Sequence, residues 1–170
     1  MSKGFDVTID LQDEALNSAL SRAISAGEDM TQPMADIADD CMSHIRARFD
    51  QEQDPMGMPW TKRRNDDGQD DGHPLLQKSR ALFNQIVPEF GRDFATVGVL
   101  RTGGPARYAR IHNEGGTIEP RKAGALSFGG RIVSKVVMPR RQYIGFGPAE
   151  NASVVDVMTD WLARLFGEPA

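Results

Sequence analysis

The sequence predicts an α+β fold in which an antiparallel β-sheet packs with N-terminal helices and a C-terminal helix. Apolar residues recur at helical spacing before residue 50 and again after residue 150. Between these regions lie short β-branched segments separated by Gly-Gly pairs, which are typical of strands and turns. A chain of 170 residues with 39% hydrophobic residues suits one domain, residues 1–170. The order helices, strands, helix is that of an α+β protein.

Two helices are predicted near the N-terminus. The first runs from about Asp13 to Ala26 and ends at Gly27, and residues 1–30 form a helical extension of the domain. The second begins at Thr31, a suitable N-cap, and runs to about Asp50. Its predicted buried face consists of Met34, Ile37, Ala38, Cys41, Ile45 and Phe49.

Residues 51–73 are polar and show no helix or strand period. A stretch of this length without periodicity is typical of a functional loop or of a flexible segment that orders on a partner, so we expect an extended arm. Trp60 lies within it. Two interpretations of this tryptophan remain open: it anchors the arm on a neighbouring subunit, or it covers the core of its own chain.

Four elements are predicted in the middle of the chain. A third helix at about 75–87 follows Pro74 and ends at Pro88, and a strand follows at 94–100. A short helix is expected from Arg107 to Asn113. Leu126–Phe128 and Arg131–Met138 are expected to form a hairpin across Gly129-Gly130.

A final helix is predicted to open at Asn151 or Ser153 and to end at Gly167. Its apolar stripe comprises Val154, Met158, Trp161, Leu162 and Leu165.

Charge is distributed unevenly along the chain, although its formal net value is only −4. Residues 1–72 carry 7 Lys/Arg against 16 Asp/Glu, whereas residues 73–142 carry 12 against 4. Opposite-charge blocks can meet within one fold, between copies of the chain, or with an external polyanion. Head-to-tail contact between unlike patches closes into a ring when the rotation permits.

No residue pattern indicates an active site, a cofactor or a metal. His112 and Glu114 form a His-x-Glu pair, but the only cysteine is Cys41, upstream, so the paired cysteines of a zinc deaminase are lacking. The acidic stretch 66–72 lacks the alternating ligands of a calcium loop. We therefore expect no enzyme, and the remaining catalytic alternative is a metal-dependent hydrolase using His112 and Glu114.

A second alternative is contact with DNA. Residues 101–141 contain many arginines and one tyrosine, a composition that can hold phosphates and stack on bases. No DNA-binding motif frames them, and the acidic pI of about 5.4 disfavours a dedicated DNA binder. No run of apolar residues is long enough to span a membrane, and the acidic N-terminus is not expected to be a signal peptide.

Several short strings occur in an order that resembles the phage virion-morphogenesis or tail-completion family of Mu-like and related tailed phages, over residues 31–166. In chain order these strings are Arg48-Phe49, Asp54-Pro55 with Gly57 and Trp60, Leu76-x-x-Ser79 with Leu82, Val97-Gly98, Tyr108-Ala109-x-Ile111-His112 with Gly115-Gly116, and Pro139-Arg140-Arg141-x-Tyr143-Ile144-Gly145. Two positions depart from the family pattern. Arg80 replaces a frequent glycine, and Gln142 replaces a frequent proline.

The resemblance implies a structural virion protein that completes the tail and joins it to the head. It would form a ring, expected to be hexameric, at the neck or the head-proximal end of the tail, after assembly in the bacterial host cytoplasm. Its partners would be further copies of itself, tail tube or sheath proteins and head–tail connector proteins, with non-specific contact to DNA in the channel. The expected interface residues are Trp60, Arg63, Arg64, Arg107, Arg140, Arg141 and Tyr143.

Overall fold

A computed structural model describes residues 14–63, 72–120, 124–128 and 130–166. Within these ranges the chain has helices and small antiparallel sheets, which confirms the α+β class. The predicted helix end at Gly167 and the residues 64–71 of the predicted arm lie outside the described ranges.

The helices at both ends of the chain are present close to their predicted bounds. They are α1 (Glu14–Glu28), α2 (Thr31–Gln51) and α4 (Pro148–Phe166), with a short α3 (Ala109–Glu114) between them. The start of α2 is stabilised by Asp29, whose Oδ1 accepts hydrogen bonds from the backbone N–H of Thr31 at 3.0 Å and from its hydroxyl. The N-cap position is Met30, which makes no side-chain capping hydrogen bond, so the predicted cap at Thr31 is wrong and Asp29 holds the first residue of the helix instead.

The buried side of α2 contains most of the predicted stripe but is wider than it. Met42 is buried where Cys41 was expected, and Cys41 is only partly buried. The reason is that α2 packs against the β-structure on one side and against α4 on another, so its buried surface is wider than one stripe.

The strands form three separate two-stranded antiparallel ribbons rather than one sheet in the described part of the chain. Strand β1 (Ile86–Phe90) pairs with β2 (Ala95–Val99), and β4 (Leu126–Phe128) pairs with β5 (Arg131–Val133) in the predicted hairpin. Strand β3 (Gly116–Ile118) pairs with β6 (Val136–Met138). The predicted single strand 131–138 is therefore divided between two ribbons.

The predicted third helix is wrong. Residues 75–82 form turns, Phe83–Gln85 form one 3₁₀ turn, and β1 begins at once at Ile86. Leu76 and Arg80 have φ angles of 61° and 54°, in the left-handed region that interrupts a right-handed helix. Arg80 is the position where the family pattern often has glycine, the residue that adopts this conformation without strain.

Pro88 lies inside β1, where the sequence analysis had a helix end. Leu100 N–H donates to Gln85 O, and Gly91 N–H donates to Phe94 O, both at 2.9 Å. Hydrogen-bonded pairs alternate along an antiparallel ribbon, so the pair Pro88 and Val97 falls at a non-bonded position. The missing N–H of proline therefore faces the outer edge and costs no ladder hydrogen bond.

The described part of the predicted arm is not extended. Asp54 Oδ1 accepts hydrogen bonds from Met56 N–H at 2.8 Å and Met58 N–H at 2.9 Å, which closes a tight turn. Trp60 N–H then donates to Glu52 O at 2.7 Å. Residues 51–63 fold back on the domain because this turn and Trp60 hold them there.

Phe49, with no exposed surface, lies at the centre of the core. Its ring meets those of Trp60 and Phe83 edge-on, at centroid distances of 5.6 and 5.4 Å, and that of Tyr143 at 5.4 Å. The other buried members of this cluster are Met42, Ile45, Leu75, Leu82, Ile86 and Ala109.

Glycine at position 80 should give a more stable protein than alanine, by about 1 kcal/mol, because only alanine retains the left-handed strain. Both variants lose the contact of the Arg80 guanidinium with the Phe83 ring, 5.3 Å away, so their difference isolates the backbone. Urea unfolding of Arg80→Gly and Arg80→Ala measures it. In a helix the order would reverse, and a more stable alanine variant would refute the turn.

A candidate assembly interface and the clamp that supports it

Residues 139–147, here called the strap, cross the core between α3 and α4. Tyr143 anchors the strap: only 1% of its surface is exposed, and its hydroxyl donates to Ala109 O at 2.9 Å. Asn113 Oδ1 accepts hydrogen bonds from the N–H groups of Tyr143 and Ile144, at 3.1 and 2.9 Å. Burial raises the pKa of the Tyr143 hydroxyl, so it stays a donor.

Arg48 of α2 and Glu150 of α4 form a buried ion pair beside the strap. Arg48 Nη1 also donates to the carbonyl oxygens of Tyr143 at 3.2 Å and Gly145 at 3.0 Å. Glu150 Oε2 accepts from Gly147 N–H at 2.9 Å. The pair and its hydrogen bonds, here called the clamp, join α2, the strap and the first turn of α4. Burial lowers the pKa of Arg48, whereas the Glu150 charge acts in the opposite direction.

Hydrogen bonds join the turn at residues 51–63 to the strap. Trp60 Nε1 donates to Gln142 O at 3.2 Å, and Arg141 Nε donates to Thr61 O at 2.8 Å. Arg141 N–H also donates to His112 O at 2.9 Å. The indole N–H of Trp60 and the Nε–H of Arg141 are thus used within the chain.

Gly145 and Gly147 allow the strap to lie directly on Pro55 of the turn. A Cβ at Gly145 would lie 2.9 Å from Pro55 Cγ, and one at Gly147 would collide with the Pro55 carbonyl oxygen. This close approach places Phe146, between the two glycines, beside the turn that carries Met56 and Met58.

These three side chains are exposed despite being apolar: 64% for Phe146, 68% for Met56 and 63% for Met58. They form a surface that we call the Met–Phe patch. Exposed apolar groups on a rigid support are typical of protein–protein contacts, and methionine adapts readily to different partner shapes. The backbone beneath the patch is fixed by the clamp on one side and by Trp60 on the other.

The expected interface residues divide into two groups. Trp60, Arg141 and Tyr143 are buried within their own chain, with exposed fractions of 4%, 6% and 1%. Arg107 and Arg140 are exposed, Arg63 is half-buried, and Arg64 lies outside the described residues.

The sequence analysis did not identify the Met–Phe patch or the clamp. Two local signals were present in the sequence. Asp54-Pro55 and Gly57 favour a tight turn, and Gly145-x-Gly147 leaves room for the strap to approach that turn closely. No local signal identified Glu150, because its partner Arg48 is 102 residues away.

Among the described residues, the metal-ligand candidates Cys41, His112 and Glu114 are not brought together in a site, and residues 66–71 of the acidic stretch lie outside the described ranges. In the described ranges no group of three or more His, Cys, Asp or Glu side chains is placed to hold a metal ion. His112 Nδ1 is buried and, within those ranges, has no hydrogen-bond partner. Burial, and then the nearby Arg141 charge, lower the pKa of His112 from its usual 6.5.

None of the helices in the described part of the chain is long and apolar enough to cross a membrane.

Removing one partner of the clamp should destabilise the protein strongly. Glu150→Ala leaves Arg48 buried without its counter-charge and Gly147 N–H without its acceptor, so we expect a loss of about 3–5 kcal/mol in urea unfolding. The matched control is Glu114→Ala, which breaks the exposed Arg110–Glu114 pair (2.8 Å) and should cost far less, because water screens this pair. Similar losses in both variants would contradict the role of the clamp.

His112 should make the fold less stable in acid. Its lowered folded-state pKa means that the unfolded chain binds a proton more readily as the pH falls below 6.5, which favours unfolding. We expect His112→Gln to lose less stability than the parent between pH 7 and pH 5, measured by urea unfolding at each pH. His73→Gln, at an exposed histidine, is the control. An unchanged pH dependence in His112→Gln would exclude this effect.

Comparison with known proteins supports the grouping suggested by the sequence strings. The model of the phage virion morphogenesis family matches residues 11–163. The comparisons with curated proteins and with solved structures gave no significant match. The matched range contains the turn, the strap and both partners of the clamp. By this match over most of its length, the chain belongs to the phage virion morphogenesis family.

Proposed function

We propose that the protein is a structural subunit of a phage tail, forming a ring at the head-proximal end of the tail and joining tail to head. Membership of the virion morphogenesis family supports a structural role in the particle. The ring, its six copies and its position at the neck are the finer parts of the proposal. No catalytic step is part of it.

The observation that carries the proposal is the Met–Phe patch on its fixed support. A subunit that joins two particle parts needs an exposed surface whose geometry is set before the partner arrives, because a preorganised surface loses less entropy on binding. Gly145 and Gly147 allow the strap to approach Pro55 of the turn closely, and the clamp holds the strap at Gly145 O and Gly147 N–H. We assign this patch to contact with another virion protein, at the tail tube, the sheath or the connector.

A second role, non-specific contact with DNA passing through the ring, is favoured by exposed arginines. Arg101, Arg107 and Arg140 are exposed in the basic part of the chain. Phosphate contacts of this kind weaken steeply with salt, so binding of the assembled ring to DNA at increasing ionic strength measures their contribution.

The Met–Phe patch is tested by Phe146→Ser. Loss of a central aromatic contact costs about 2 kcal/mol, or roughly 30-fold in affinity. We expect a phage that carries this variant to yield few joined particles, with tails and heads separate in electron micrographs, while the purified variant unfolds at the parent urea concentration.

The control is Phe90→Ser, which removes a phenylalanine that is 45% exposed on the β1–β2 ribbon. That variant should give a normal yield of particles. A normal yield from Phe146→Ser, or an equal defect in both variants, would remove the Met–Phe patch from the joining contact.

A further inference from the structure

Helix α4 has an apolar stripe that the described chain leaves uncovered. Val155, Leu162 and Phe166 follow at intervals of seven and four residues, which places them on one side of the helix. They are 55%, 42% and 50% exposed. The half-buried residues Val154 and Trp161 lie on the other side, where α4 packs against α1 and α2.

The helical part of the domain to which this stripe belongs has an acidic surface. In α1, α2, α4 and the α1–α2 turn, seven acidic side chains are exposed against three basic ones. Asp156 follows Val155 and flanks the stripe on α4 itself. We call Val155, Asp156, Leu162 and Phe166 the α4 face. The exposed acidic residues are Glu14, Glu28, Asp29, Asp39, Asp50, Asp156 and Asp160, and the basic ones are Arg22, Arg46 and Arg164.

The ribbons on the other part of the domain have the complementary properties. Ile132 on β5 is 83% exposed and Val137 on β6 is 67% exposed. The sequence from 116 to 140 carries five Lys/Arg against one Glu. Lys135, exposed, lies between the two apolar residues. These three exposed residues belong to two ribbons and to the segment that joins them, and we call them together the ribbon face.

The ribbon face also lacks the support that such short strands need. Strands β3 to β6 have three residues each and pair only as two-stranded ribbons in the described chain. Isolated ribbons of this kind are marginal in water, whereas packing against a helix stabilises them. A helix with an exposed apolar stripe is present on the same chain.

We propose that the ribbon face of one copy packs on the α4 face of the next copy, so that subunits join head to tail. Charge selects this pairing: two α4 faces would bring carboxylates together and two ribbon faces would bring cations together, whereas unlike faces bring opposite charges together. A contact between unlike faces repeats from copy to copy and closes into a ring at a suitable rotation. The inference rests on the proposed ring and names the surfaces that form it.

Disulfide cross-linking tests the pairing directly. In a Cys41→Ala parent, Ile132→Cys and Leu162→Cys are made as separate proteins and oxidised alone and as an equal mixture. We expect linked dimers to be at least tenfold more abundant in the mixture than in either protein alone. The double variant should give a ladder of linked copies that ends at the ring. Thr96→Cys, at an exposed position on β2, replaces Ile132→Cys in the control mixture.

A mixture that links no better than the control overturns the proposal. So does efficient linking of Leu162→Cys to itself, which would show a two-fold contact between α4 faces. Electron microscopy of the Cys41→Ala parent separates this failure from that of the proposed function. If the parent forms rings but the cysteine variants give no links between residues 132 and 162, these surfaces do not form the contact and the proposed ring is retained. If the parent stays monomeric and the cysteine variants give no links, these surfaces are excluded. The yield of joined particles from Phe146→Ser then tests the proposed function.

Reversal of charge gives an independent test. Asp156→Lys should lower the yield of 132–162 links at least fivefold, because it places a cation opposite Lys135. Combination with Lys135→Glu in the other protein should restore the yield. Equal yields in all combinations would show that these charges do not meet, and would overturn the pairing.

Discussion

The structure depends on one buried ion pair, between Arg48 near the end of α2 and Glu150 in the first turn of α4. Charges removed from water are costly unless every hydrogen-bonding group finds a partner. Here the partners are the backbone groups of Tyr143, Gly145 and Gly147. The pair therefore does more than join two helices. It fixes the course of the strap between them, and with it the direction in which α4 leaves the core.

The positions of two proposed contact surfaces, the Met–Phe patch and the α4 face, depend on this clamp. The Met–Phe patch lies on the strap that Arg48 holds, and the α4 face lies on the helix that begins at Glu150. In the proposed ring, a subunit between two neighbours and a tail needs three separate surfaces, and the ribbon face is proposed as the third. The residues expected at an interface from the sequence, Trp60, Arg141 and Tyr143, serve this arrangement from inside the domain.

The helices were predictable because their signals are local. In α1, α2 and α4, apolar residues recur at helical spacing and mark the side of the helix that tertiary packing buries. The Gly-Gly pair between β4 and β5 indicated a hairpin. The third helix was not predictable from periodicity: Leu75, Leu82 and Ile86 have helical spacing and are buried, but left-handed residues at 76 and 80 break the helix between them. The pairing of β3 with β6 and of Arg48 with Glu150 joins distant segments, which no local pattern reports.

In the proposed assembly, subunits accumulate in many copies before they join, and Pro88 has a consequence for that stage. An open edge strand is a template on which other chains add without limit, and proteins protect such edges with residues that cannot take part in a ladder. Pro88 offers no N–H to an incoming strand along the outer side of β1, so fibre growth from that edge is interrupted at its midpoint. Unassembled subunits are thereby protected from irreversible aggregation through this edge, and contacts between side chains are left to determine the order of assembly.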